Sequence, residues 1–192
     1  MEIITKLVAM YNNLPCNLSD LSAEQIKSIR QTITFKFLDL PCNVEFEYGN
    51  HELDSFEYVK KRYFADNVLL ISADNNNSEL LPANLNLWLR AWHDYIHISN
   101  NYLFGFQGEF YAFLKHIEGQ SDIFKQVIFS EIVLQTAYYE TYGTFAEVQK
   151  VVILPIEVVI SLISEIKLQG RKTITGALRH IGVDKARKYD LV

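Results

Sequence analysis

Residues 82–97 read PANLNLWLRAWHDYIH. Pro82 suits the first turn of a helix, where its missing N–H has no partner to lose. The helix is predicted to run to about Ser99. Within it Asn86, Arg90, His93 and His97 stand at i, i+4, i+7 and i+11. Those positions fall on one stripe of an α-helix. One helix face therefore carries an amide, a guanidinium and two imidazoles.

From this helix to the end of the chain the pattern stays helical. Gly105 and Gly108 punctuate the next start, and Phe110 to Ile117 continues as helix until Gly119. Ser121 to about Tyr142 keeps the 3.6 period and stops at Gly143, a C-cap residue. Pro155 to Leu168 is expected to end at Gly170. A last short helix is expected from Thr173 to Ile181, ended by Gly182.

Before Pro82 the character is mixed. Glu2 to Asn12 has helical spacing of Ile3, Ile4, Leu7, Val8 and Tyr11. Ser22 followed by Gln25 is a capping-box pattern, opening a helix to about Phe37. Asn43 to Tyr48 alternates apolar and acidic residues, as a strand does. Ser55 to Phe64 reads as a short helix. Asn67 to Ala73 is a compact apolar run, and a polar turn follows at 74–78. The fold expected is mainly α (α+β). A small N-terminal α/β portion (1–80) leads into a helical bundle (81–168) and a basic segment (169–192), together one compact unit.

Composition agrees with one folded unit. The chain has 192 residues, 49% of them hydrophobic and 21% charged, so enough apolar surface exists to offset chain entropy. Two cysteines, Cys16 and Cys42, exclude a disulfide scaffold. No run of 18 apolar residues is present, so no membrane span is expected. The start MEIITKLVAMYNNLP lacks the pattern of a signal peptide. A soluble protein of a reducing compartment, the cytoplasm, is the expectation. The net charge is −5, and it is uneven. Lys167 to Val192 carries seven bases and two acids, while residues 1–166 are strongly acidic. An acidic body does not attract polyanions, so nucleic-acid binding is not expected, although residues 173–189 admit a small helix-turn-helix-like unit.

Two histidines at i and i+4 can place ring nitrogens on one cation, as in the HExxH zinc helix. A third ligand must come from elsewhere. Glu131 is the expected one, a carboxylate among Phe129, Ile132, Val133 and Leu134, with Gln135 one turn on. Glu109, beside Gly108, is a second candidate, as a fourth ligand or a general acid/base. Asp94 replaces the Glu of HExxH and is one methylene shorter, which suits it to orient a ligand or to pair with Arg90. The alternative is that His93 and His97, next to Trp88 and Trp92, form a buried hydrogen-bonded network with no metal. Nucleotide-phosphate loops, the GxSxG elbow and paired CxxC modules are absent from the sequence.

The runs RAWHDYIH, FGFQGEFYAF, SEIVLQTAYY and FAEVQKVVILP resemble a family of uncharacterised proteins encoded by bacteriophages and other mobile elements. The matching positions are Arg90, His93, Asp94 and His97; Gly108 and Glu109; Glu131 and Gln135; Gln149, Lys150, Leu154 and Pro155. Related sequences often carry Gly before a second His at spacing five, whereas here Ile96 precedes His97 at spacing four. The pattern is also faintly similar to iron-dependent aromatic amino acid hydroxylases, which use two close histidines and a downstream Glu. Two functions follow as expectations. One is a metal-dependent enzyme, hydrolytic by default. It would hold Zn²⁺ or Fe²⁺ on His93, His97 and Glu131, with Arg90 on a small anionic substrate. The other is a non-catalytic phage accessory protein binding a host or phage macromolecule through the basic segment, in the host cytoplasm.

Overall fold

The computed structural model describes residues 2–181 apart from 75, 77 and 148, with side chains to residue 170. Residues 182–189 of the expected helix-turn-helix-like unit, and the side chains of the basic segment beyond Gly170, lie outside the described residues.

Helix α1, Glu2–Asn13, buries Ile3, Leu7, Val8 and Tyr11. Helix α2, Ala23–Leu38, begins with the expected capping box, in which Ser22 and Gln25 satisfy one another's backbone amides. It runs through Thr32 and Thr34, whose hydroxyls donate back to the carbonyls of Ser28 and Arg30, and the buried Ile29 and Ile33 anchor it in the main core. Strand β1, Asn43–Glu47, helix α3, Phe56–Asp66, and strand β2, Val68–Ser72, form one β-α-β unit. The strands pair in parallel, with Asn43 opposite Val68 and Glu47 opposite Ser72. Asn67 takes a left-handed conformation (φ 54°) and turns the chain directly from α3 into β2.

Helix α4, Ala83–Asn100, is the expected helix after Pro82. Ala91 and Ile98 pack it on the sheet core with Leu69, Leu70 and Ile71. Leu89, Trp92 and Ile96 pack it into the main helical core with Ile33, Phe113 and Phe124. So α4 joins two apolar cores, and its remaining face is the polar stripe. Helix α5, Phe106–His116, follows after a five-residue connection. Helix α6 spans residues 122–142 as Asp122–Ile128, a π-helical segment Phe129–Leu134, and Gln135–Tyr142. Gly143 ends it at φ 70°, as expected.

Helix α7 runs unbroken over Ile156–Ile181. This corrects the expected stop at Gly170 and the separate helix after it. A mid-helix glycine weakens a helix by only about 1 kcal/mol. Val159, Leu162 and Ile166, buried in the main core, outweigh that. The chain is thus mainly helical (α+β), as expected, and its two strands form a small parallel sheet. Helices α1 and α2 belong to the main helical core, and the α/β unit proper is residues 43–72. Among the described residues no helix is long and apolar enough to cross a membrane. Cys16 and Cys42 are free thiols.

Candidate metal centre

His97 is completely buried near the end of α4. Asn101, left-handed at φ 56°, caps that helix and folds the chain back. The returning Tyr102 carbonyl lies 2.9 Å from His97 Nδ1. A carbonyl only accepts, so Nδ1 carries a proton, and whenever the ring is neutral its lone pair is on Nε2. His97 Nε2 stands 3.0 Å from His93 Nε2. Helix α5 supplies the third group: Glu109 Oε2 is 2.8 Å from His93 Nε2, and Oε1 is 3.4 Å from His97 Nε2.

The ligand atoms of His93, His97 and Glu109 all lie within 4.8 Å of one another, a group that could hold a metal ion. The spacing is more specific than that. An ion bonded at about 2.1 Å places neighbouring ligands about 3.0 Å apart at right angles and about 3.4 Å apart at tetrahedral angles. The observed edges of 2.8, 3.0 and 3.4 Å bracket that range. Two nitrogens and one carboxylate suit zinc or non-haem iron among common ions.

Behind the triad sits His116, fully buried, its Nε2 3.2 Å from His93 Nδ1 and its ring 4.0 Å from that of Trp92. Burial, then the nearby His93 and His97, push its pKa well below the usual histidine range. A neutral His116 accepting from His93 Nδ1–H frees His93 Nε2 as a lone pair, the state a metal requires. His116 Nδ1 is buried with no hydrogen-bond partner. Sequence reasoning passed over His116. Its signal was the spacing of seven from Glu109, two turns along one face of α5.

Charge knits the centre together. Burial alone would raise the Glu109 pKa, but His93 and His97 outweigh it and hold it well below the carboxylate range. For His97 burial opposes the charged form, and the Glu109 hydrogen bond and charge overcome it, raising its pKa. Gly108 makes this approach possible. A Cβ there would fall on the Leu103 carbonyl oxygen, so only glycine lets α5 pack against the 101–105 connection.

The centre borders a cavity of about 800 Å³. Loops at the carboxyl ends of both strands line it, the usual ligand face of a parallel sheet. Asn86, Arg90, His93, Asp94, Glu109, Glu131, Gln135 and Gln149 all face it. Three sequence expectations are corrected. Glu131 is not in the group that could hold an ion: its oxygens take Ser78 Oγ at 3.2 Å and Gln135 Nε2 at 2.9 Å, and Glu109 is the carboxylate beside the histidines. The reason is packing, since the short 101–105 connection lays α5 against the histidines. Asp94 forms no ion pair with Arg90. Arg90 Nη1 donates instead to the carbonyls of Ser72 (2.8 Å) and Asp74 (2.6 Å), tying down the end of β2. Lys150 is remote from the triad, and its Nζ caps α1 at the Leu14 carbonyl, 2.6 Å away. Gln149 is buried and bridges to Ser78.

Comparison with known protein families, curated proteins and solved structures gives no match.

Proposed function

We propose that the protein is a metal-dependent hydrolase of phage or mobile-element origin, with a divalent ion, zinc or iron, held by His93, His97 and Glu109. The observation that carries this is the convergence of two imidazole nitrogens and a carboxylate at metal-ligand spacing. The outer nitrogen of each histidine is already engaged, by Tyr102 and by His116. Such outer partners fix ring orientation in metal sites. An ion bound there would supply Lewis acidity and acidify a coordinated water.

Three protein ligands leave room for a water and a substrate atom. Asp94 lies one residue from His93 and one turn from His97, and it faces the cavity. Among the described residues no hydrogen bond reaches its carboxylate. Burial raises its pKa, and His93 and His97 partly offset that. A carboxylate without donors is free to take a proton, which makes Asp94 the proposed general base. Arg90 is a positioning residue, because it fixes the loop after β2.

The test is hydrolysis of chromogenic carboxylic ester, phosphodiester and anilide substrates by zinc-loaded and iron-loaded protein. One substrate class should turn over, and chelation should stop it. Asp94→Asn should slow turnover by about 10²–10⁴-fold with metal content unchanged. Turnover that survives chelation would remove the metal from the mechanism. An unchanged rate in Asp94→Asn would remove Asp94.

A further inference from the structure

We infer that the cavity takes a substrate with a cationic head, an amine or guanidinium, seated on Glu131 while its reacting group lies at the histidine centre. This rests on the metal-centre reading and adds the charge class of the substrate.

The wall of the cavity is mainly acidic. Beside Glu109, the described lining residues include five carboxylates, Asp54, Asp74, Asp94, Glu131 and Glu140, against one guanidinium, Arg90. Two of those carboxylates are already answered by backbone amides. Asp74 accepts from Gly49 N at 2.9 Å, and Glu140 accepts from Phe106 N at 3.0 Å. The Arg90 Nη1 is engaged by two carbonyls. A low-dielectric cleft lined by one sign concentrates ligands of the other sign and repels like ones. An anionic substrate is therefore disfavoured, contrary to the expectation drawn from Arg90 in the sequence.

Glu131 is the group best placed to seat the cation. Each of its oxygens has one neutral donor, the Ser78 hydroxyl or the Gln135 amide. Among the described residues no cationic side chain forms an ion pair with it. It stands on the π-helical segment of α6. Such bulges are frequent at functional sites. Burial pushes its pKa up to about 7, opposed only by those two hydrogen bonds. A carboxylate left so under-compensated gains most from a cation in the cavity.

The test uses three hydroxamates of one length on zinc-loaded full-length protein, read by calorimetry. They are 6-aminohexanohydroxamic acid, heptanohydroxamic acid and the monohydroxamate of pimelic acid. The amine should bind at least about tenfold tighter than the methyl compound, and the carboxylate should bind weaker than either. In Glu131→Gln, whose amide oxygen can accept from Gln135 Nε2 while its NH2 donates to the Ser78 hydroxyl, the amine advantage should shrink to about threefold or less while the methyl compound keeps its affinity. An amine no tighter than the methyl compound, or an advantage that survives Glu131→Gln, overturns the inference. The metal reading fails separately, if heptanohydroxamic acid binds equally with and without zinc. Hexylamine against 1-hexanol on zinc-free protein then decides the cation claim by the same tenfold criterion.

Discussion

Replacing Gly108 with alanine places a methyl group on the Leu103 carbonyl oxygen and 2.9 Å from the Leu103 carbonyl carbon. In an isolated helix the change would be favourable by about 1 kcal/mol. Here the obstacle is backbone, which cannot rotate away. Relieving the overlap needs a shift of α5 or of residues 101–105, and overpacking of this kind costs about 1–3 kcal/mol. The same shift moves the Tyr102 carbonyl away from His97 Nδ1, now 2.9 Å apart. A buried donor left without its acceptor costs a further 1–3 kcal/mol or so. The net expected loss is about 1–5 kcal/mol, a lowering of Tm by about 2–20 °C in a chain of this size. Metal affinity should fall by about 10–100-fold, because an orienting partner of a ligand is displaced. Gly119→Ala is the control: it has open space around the added Cβ and only a left-handed φ of 72°, so it should cost about 1–2 kcal/mol and leave metal binding intact. Thermal melts followed by circular dichroism and zinc titration check both variants. A Gly108→Ala protein as stable and as metal-avid as Gly119→Ala would refute the reasoning.

Other substitutions separate structure from site. Glu131 has a folded pKa of about 7 against an ordinary value of 4.5, so its folded state favours the proton, and its ionisation removes stability as pH rises between those values. Glu131→Gln should therefore gain on wild type by up to about 3 kcal/mol from pH 4.5 to pH 8, read from urea midpoints at both ends; parallel profiles would contradict this. Arg90→Met removes two charge-assisted hydrogen bonds to backbone carbonyls and should cost about 2–4 kcal/mol, with Arg90→Lys intermediate. Lys150→Met removes the cap on α1 and should cost about 0.5–1 kcal/mol in calorimetric melts while metal content stays the same; loss of metal would show that Lys150 does more than cap.

Local signals in the sequence were legible where local chemistry decides the outcome. The Ser22–Gln25 capping box, the NVEFEY and NVLLISA strands and the stop at Gly143 each depend on residues within a few positions of one another. The polar stripe on α4 was legible too, since helical spacing alone puts Asn86, Arg90 and His93 on one face. What failed depended on packing. Gly170 carries a real but small helix penalty that the apolar face of α7 overrides. Choosing between Glu109 and Glu131 required knowing which helix lies over the histidines, and that is set by Asn101, by the length of the 101–105 connection and by Gly108. The apolar setting of Glu131 did mark a buried carboxylate correctly, but one bonded to Ser78 and Gln135 rather than to a cation. Arg90 meets backbone carbonyls at the end of β2 and just beyond it, those of Ser72 and Asp74, and no spacing rule encodes that meeting.

The central claim is that His93, His97 and Glu109 hold one divalent ion. Elemental analysis of untagged protein, alongside Glu109→Gln and Glu131→Gln, tests it most directly. The geometry predicts about one equivalent of zinc or iron in wild type and in Glu131→Gln, and loss of that equivalent in Glu109→Gln. Full metal content in Glu109→Gln, or none in wild type supplied with both metals, would contradict it.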